Sequence, residues 1–445
     1  MSNLQRKQVA WRDPADIARQ LAREYGEHGL IWLDGDGSAL GRWGILAADP
    51  LEQYVCYGLP GVPGATDPFA MLESLGPGYW CGWLSYEAAA WLEPKNSWRA
   101  DVMATLWIAR YDPILRLDLQ KHKLWIEGSD RYRCQAVVDW LASPLRDSSG
   151  VRYSGTKVVK PFGLDLGAWQ WDTDIVSFTD GVSQLRELIA AGDLFQANLS
   201  TCCRAKLPDI PLSMLEMFLR LRRHCPAPFA GLMVGNSQAA DEAVLSASPE
   251  RFLHVDPQGH VETRPIKGTR PRHPDLNQDA NLAVDLVCSL KDRSENIMIV
   301  DLLRNDLGRV CCPGSVQVTQ LLGLESYPQV HHLTSVVEGQ LASNHSWVDL
   351  LRACWPGGSV TGAPKLRACQ RLQELETTSR GPYCGSLLLR NWDGSLDSNI
   401  LIRSLFRKGS MLRAHAGCGI VADSYPNTEL QELHWKLQPL LQALA

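Results

Sequence analysis

Two pairs of carboxylates stand out by their spacing, Asp292 with Glu295 and Glu429 with Glu432. On a helix, residues three apart lie on one face, so each pair would offer two oxygen donors side by side. Two such helices brought together could hold a hard divalent cation, since Mg²⁺ takes one or two carboxylates and fills its shell with water and substrate oxygens. A solvated helix face with acids at this spacing is the commoner arrangement, and spacing alone leaves both readings open. A third candidate is Lys267 in the run Arg264-Pro-Ile-Lys-Gly-Thr-Arg270. A lysine in a partly buried segment can act as an amine nucleophile, while Gly268 allows close approach of backbone and Thr269 and Arg270 supply donors for a carboxylate. An ordinary lysine beside a turn fits the same residues. Two glycine-rich runs, Trp355 to Lys365 and Ala416 to Ile420, add anion-binding amides, the first leading into a helix from Leu366. Neither run has the spacing of a P-loop or a dinucleotide fingerprint.

These residues need elements to hold them. Leu115, Leu117 and Leu119 alternate with polar residues, and Leu124-Trp-Ile126 resumes after a polar turn, which predicts a hairpin. Gly78 to Tyr86 reads as an aromatic strand followed by an alanine-rich stretch to Trp91. Helical spacing appears at Val182, Leu185, Leu188 and Ile189, at Met214, Met217, Phe218 and Leu221, through Leu282 to Leu307, and from Glu429 to Leu444. The Ala416 to Ile420 run is expected as a flexible connection between a strand and that last helix. The pattern is α+β, with antiparallel strands and helices packed outside them.

The 445 residues, 45% of them hydrophobic, suffice for a large core, and the net charge of −5 is spread without long runs of one sign. That excludes the basic footprint of a nucleic-acid binder. No stretch is long and apolar enough for a membrane span, and the first thirteen residues lack the apolar segment of a secretory leader. Thirteen cysteines without a C-x-x-C spacing read as reduced thiols of a cytoplasmic protein rather than a zinc cluster or a disulfide scaffold.

Taken in order, further segments form a series. They are Gly192-Asp-Leu-Phe-Gln-Ala-Asn-Leu-Ser200, Ser246-Ala-Ser-Pro-Glu-Arg-Phe252, the Lys267 run, and Asp301-Leu-Leu-Arg-Asn-Asp-Leu-Gly-Arg309. His331-His-Leu-Thr-Ser335, Pro356 to Lys365, Tyr383-Cys-Gly385, Ile402-Arg403 and Ala416 to Glu432 follow. This series resembles the chorismate-utilising enzymes, the family of anthranilate, aminodeoxychorismate, isochorismate and salicylate synthases, over residues 178–440. Lys267 stands where most members have alanine, and resembles the aminodeoxychorismate synthase branch. Gln196 stands where the water-using members place a lysine, which points to ammonia as the nucleophile.

The resemblance implies an anthranilate synthase component I-like α+β fold, two packed β-sheets with helices outside. It divides the chain into a regulatory or structural subdomain at 1–142, a linker at 143–173 and a catalytic subdomain at 174–445. The implied reaction aminates chorismate to 4-amino-4-deoxychorismate, toward 4-aminobenzoate and folate, with Lys267 adding covalently to the ring and Glu250 as acid and base. Mg²⁺ would be held by Glu295 and Glu432, with Asp292 and Glu429 acting through water. Gly268, Thr269, His332, Tyr383, Arg403, Gly417 and Gly419 are the implied substrate contacts. Asp34 lies where the family's tryptophan pocket begins. No glutaminase signature occurs, so a separate class I glutamine amidotransferase is the expected ammonia source. An anthranilate synthase and a non-catalytic tryptophan-sensing subunit are the rival readings. Departures from the family pattern are Asn296, Leu430, Ser404 and Cys418, the last standing between two glycines where a small residue is usual.

Overall fold

The computed structural model describes residues 4–142, 163–209, 212–327 and 330–445. Its strands form two antiparallel sheets, one of twelve strands and one of ten. The predicted hairpin is present, with Ile114–Asp118 paired to Lys123–Gly128 and Leu117 opposite Leu124. The aromatic strand is Tyr79–Leu84, and a 3-10 turn, Tyr86–Trp91, follows it. Both expected subdomains feed both sheets. Ile31–Asp34 pairs with Phe229–Val234 in the larger sheet, and Tyr79–Leu84 pairs with Ser386–Arg390 in the smaller. Of the expected linker, residues 143–162 lie outside the described residues. Gln170–Trp171, near its end, joins the larger sheet beside Cys203 and Arg204.

Alternation along the strands sends one set of side chains between the sheets. There Trp83 stacks on Trp107 with centroids 4.9 Å apart, and Tyr86, Phe406 and Leu388 extend the same core. A second core lies under the helices that cover the larger sheet. The apolar stripes of Ile175–Ala190, Met214–His224 and Pro426–Gln442 supply Val182, Leu185, Phe218, Leu221, Leu433 and Leu437 to it. The α+β architecture of two packed sheets with outer helices is therefore as expected.

Two local readings need correction. The single helical run predicted over Leu282 to Leu307 is two helices, Leu276–Cys288 and Leu290–Gly308. Ser289 divides them: its backbone is extended, with φ −62 and ψ 110, and its side chain accepts from Asp292 N as the cap of the second helix. Ala416 to Ile420 is no flexible connection but the end of the strand Met411–Ile420, paired with Gln196–Lys206. All thirteen cysteines are free, and all but Cys225, Cys288 and Cys312 are buried. Among the described residues no helix is long and apolar enough to cross a membrane.

One buried ion pair lies beside the larger sheet, between the helix Lys365–Leu375 and the strand Ser386–Arg390. Arg380, 1% exposed, donates from Nε and Nη2 to the Glu376 carboxylate at 2.9 and 2.7 Å. It also donates to the carbonyls of Val360 and Asn198. Removing the guanidinium would strand a buried carboxylate and two carbonyls. Arg380→Ala is expected to cost roughly 3–5 kcal/mol of unfolding free energy, the range for breaking one half of a buried pair. Urea unfolding of the two proteins measures it, and a difference below about 1 kcal/mol would show that the pair is replaceable.

Candidate active site

Lys267 sits on Ile266–Pro271, which pairs with Val330–Gln340 in the smaller sheet. The register slips between Ile266 and Thr269, so Lys267 and Gly268 form a bulge, a device that re-aims a side chain. Gly268 has φ +83, and a Cβ there would meet Leu286 Cδ1 at 2.7 Å and Asp292 Cγ at 2.9 Å. Glycine is thus required both by the backbone and by the helices packed against it. Past the bulge, Lys267 Nζ lies 3.7 Å from Glu295 Oε2, with the side chains only 12% and 9% exposed.

Glu295 and Asp292 share the first turns of Leu290–Gly308, as their spacing predicts. Pro426–Gln442 brings in Glu429 and Glu432. It does so along an edge of the strand Met411–Ile420, which its other neighbour, Ser404–Lys408, accompanies only as far as Ala414. Lys436 Nζ donates to Gly417 O at 2.7 Å and pairs with Glu432 Oε1 at 2.6 Å. The two acidic pairs therefore do converge. Each of the four carboxylates also has a cation on it: Lys267 on Glu295, Arg270 on Asp292 at 3.2 Å, Lys291 on Glu429 at 2.8 Å, and Lys436 on Glu432. Burial raises the Glu295 carboxyl above its ordinary value against the pull of Lys267 and Lys291. Burial also pushes Glu432 up, but the Lys436 ion pair overcomes it and holds that carboxyl below its ordinary value.

Gly419 faces this cluster from the opposite sheet. A Cβ on it would come within 2.6 Å of Gln196 Nε2, 3.0 Å of Glu295 Oε2 and 3.4 Å of Lys267 Nζ. A Cβ on Gly417 would meet Asn198 Nδ2 at 2.8 Å. These glycines leave a floor of bare backbone beside the lysine. Gly419→Ala is accordingly expected to displace Gln196 and Glu295, costing about 1–3 kcal/mol of overpacking strain. Turnover should fall by at least about tenfold, since misplacement of reacting groups by about 1 Å can cost 10²-fold. Steady-state kinetics on a folded variant check it, and an unchanged rate would show that the floor is not part of the site.

Glu250 follows the strand Glu242–Ser248 and is buried. Burial raises its carboxyl to about 7, against a hydrogen bond from Ser359, the positive charge of Lys267 and the Ile266 N–H. Ser359 belongs to the predicted glycine-rich loop, so that loop reaches the site through a side chain at Glu250. His332 lies opposite Thr269 in the sheet, its Nδ1 2.9 Å from Thr269 Oγ1. Burial, with the charge of Arg403, lowers the imidazole to about 4, so the ring is neutral. Arg403, in the left-handed region at φ +52, donates from Nη1 to Lys436 O at 3.3 Å. That contact ties it to the carboxylate-bearing helix. Tyr383 is buried and stacks on His415 with centroids 5.1 Å apart. Asp34 is elsewhere, at the end of Ile31–Asp34 in the larger sheet, 2.5 Å from Arg222 Nε.

Sequence reasoning had missed Lys291, Lys436, Ser359 and Ser424, whose hydroxyl donates to Glu429 Oε1 at 2.7 Å. Lys436, four residues after Glu432 on one helix face, had a local signal, as did Ser359 within the glycine-rich run Trp355 to Lys365. Lys291 meets a carboxylate 138 positions away, and nothing in the local pattern marks that contact.

Residues 54–442 match the chorismate binding enzyme family. Aminodeoxychorismate synthase component 1 of Salmonella typhimurium is 38% identical over 355 residues, which cover 79% of this chain and 73% of that protein. An anthranilate synthase component 1 of Haloarcula marismortui is 35% identical over 460 residues, 97% of this chain and 90% of that one. Among solved structures, anthranilate synthase component I from Streptococcus pneumoniae superposes with a TM-score of 0.74 at 28% identity, covering 90% and 92% of the two chains. The converging carboxylates and the lysine beside them thus lie within the matched region of a chain that belongs to the chorismate binding enzymes and is a chorismate-utilising enzyme.

Proposed function

We propose that this enzyme aminates chorismate to 4-amino-4-deoxychorismate, the first step toward 4-aminobenzoate and folate, as an aminodeoxychorismate synthase component 1 does by name. The observation behind this reading is Lys267, a primary amine within the carboxylate cluster and close to the buried acid Glu250. Lys267 gives its ammonium proton to solvent and adds as the free amine at ring C2, the ring double bonds shift, and the C4 hydroxyl leaves as water with the proton of Glu250. Ammonia then adds at C4 and expels the lysine from C2, and Glu250 recovers its proton from the new ammonium group. The enolpyruvyl group takes no part and is retained. Neutral His332 and Thr269 sit beside the reacting segment, and Tyr383, Arg403, Gly417 and Gly419 lie where the family resemblance puts the substrate carboxylate.

Glu295 and Glu432, with Asp292 and Glu429 behind them, suit a hard divalent cation, because the donors are carboxylate oxygens and one, Glu429 Oε2, is buried without a hydrogen-bond partner. Mg²⁺ bound there would supply Lewis-acid assistance to the substrate carboxylate and the departing hydroxyl. Ammonia would come from a separate class I glutamine amidotransferase. Asp34, buried beside Trp32 and paired with Arg222, stands at the strand end where the family resemblance puts a tryptophan pocket.

The resemblance to anthranilate synthase component 1 over nearly the whole chain favours one rival, an enzyme releasing anthranilate and pyruvate. Mass-resolved product analysis with chorismate, Mg²⁺ and ammonium separates them. A product that keeps the enolpyruvyl group and is converted to 4-aminobenzoate by an added lyase supports amination at C4. Anthranilate with pyruvate would overturn it.

A further inference from the structure

The buried pair of Glu376 and Arg380 does more than fill space. Replacing such a pair by apolar residues of the same volume is often neutral or stabilising, so stability alone does not account for burying two charges. What the pair supplies is a set of fixed donors and acceptors, and their partners are backbone groups of the site. Among the described residues no strand pairs with the outer edge of Gln196–Lys206 between Ala197 and Cys203. The pair takes the place of one. Glu376 Oε1 accepts from Ser200 N at 2.9 Å and Ser200 Oγ at 2.8 Å, and Arg380 Nη2 donates to Asn198 O at 2.7 Å. Gly417 lies opposite Ser200, and a Cβ on it would stand 2.8 Å from Asn198 Nδ2 and 3.0 Å from Ser200 Cβ, so this edge sets the floor of the site. On its other side Arg380 Nη1 donates to Val360 O at 2.8 Å. Val360 ends the one-turn 3-10 segment Gly358–Val360, in which Ser359 hydrogen-bonds Glu250.

We infer that Arg380, acting through the Val360 and Asn198 carbonyls, is a positioning residue of the reaction: it sets Ser359 against Glu250 and holds the strand edge beside Gly417. Its own backbone is fixed from the other sheet's side of the chain, where Glu87 Oε1 accepts from Arg380 N at 2.9 Å and Gly381 N at 3.1 Å. Only a planar fork of donors reaches two carbonyls and both oxygens of one carboxylate at once. A lysine in its place supplies one charge and fewer fixed directions. Arg380 touches neither Glu250 nor Lys267, so its effect on the chemistry passes through the turn and the strand edge. The inference rests on the amination reading only for the part that Glu250 plays in turnover.

The test is the pH dependence of turnover, at constant free ammonia, in Ser359→Ala, Arg380→Lys and the double variant. The parent is expected to lose activity above about pH 7 as Glu250 ionises. In Ser359→Ala the hydrogen bond that holds the carboxyl down is gone, so this limb should move up by about one pH unit. Arg380→Lys leaves Ser359, Lys267 and the Ile266 N–H in place. It should nevertheless move the limb the same way, and lower turnover about tenfold or more as the turn and the strand edge shift. The double variant should move the limb no further than either single change, the mark of two residues acting through one contact. A limb in Arg380→Lys that stays where the parent's is, or displacements that add in the double variant, overturns the inference whatever the loss of stability. Should Arg380→Lys not fold, or the parent show no limb, the Arg380 Nε–H resonance of isotope-labelled protein decides without turnover. It should titrate with Glu250 in the parent and stay flat in Glu250→Gln, and a resonance that behaves alike in both overturns the inference. A missing limb in a parent whose Arg380 resonance does titrate counts against Glu250 as the acid of the amination reading and leaves Arg380 as its positioning residue.

Discussion

Lys267→Ala is expected to lower the rate of C4 amination on the order of 10³-fold or more, because loss of a catalytic nucleophile costs other enzymes up to about 10⁶-fold. Two effects of the change must be separated. The amine that adds to the ring is lost, and Glu295 loses the cation that now lies 3.7 Å from it. Lys267→Arg separates them: a guanidinium keeps the charge beside Glu295 but is never a free amine under these conditions. If the nucleophile reading is right, both variants lose amination to a similar extent, while the arginine variant keeps a thermal midpoint close to that of the parent. Product analysis at saturating ammonium measures the first and a melting curve the second. Full activity in either variant would remove Lys267 from the chemistry and leave it a counter-charge for the carboxylates.

What the sequence made legible differs between elements and site for a physical reason. Elements follow local periodicity, so the Leu115 to Ile126 hairpin and the Met214 to Leu221 stripe could be read directly. The break at Ser289 could not. The apolar spacing runs on through it, and serine signals a cap only when its side chain has found the N–H of Asp292. Ala416 to Ile420 misled for the opposite reason. Its glycines suggested a flexible turn, yet they are strand residues paired with Gln196–Lys206, small because Asn198 crowds Gly417 and Gln196 and Glu295 crowd Gly419. The carboxylate pairs were visible as spacing on two helices, but their convergence rests on a helix edge-packed against Met411–Ile420, which is a property of the tertiary fold. Ordered motifs across the chain did what spacing could not. The family resemblance they carry groups Lys267 with Glu295 and Glu432, and Lys267 lies 3.7 Å from Glu295.

Glu250 offers an effect of comparable size with a sign that pH reveals. Burial lifts its carboxyl from 4.5 to about 7, so below pH 7 the folded protein holds a proton there that the unfolded chain would release. The stability linked to that proton is fully present below about pH 4.5 and is lost as pH rises through 7, amounting to roughly 3 kcal/mol by pH 8. Glu250→Gln, permanently neutral and still able to accept from Ser359, should escape that loss. It should therefore unfold at higher denaturant than the parent at pH 8 and show little difference at pH 5. The same substitution removes the proton donor to the leaving hydroxyl, and turnover should fall about 10²–10⁴-fold. With free ammonia held constant, the parent should lose activity about tenfold per pH unit above 7 as the carboxyl ionises, and the residual rate of the glutamine variant should not follow that limb. A gain in stability coupled to a loss of rate is what a buried acid kept for proton transfer requires. A glutamine variant as active as the parent, or one destabilised at pH 8, would instead make Glu250 a structural carboxylate held ionised by Ser359, Lys267 and the Ile266 N–H.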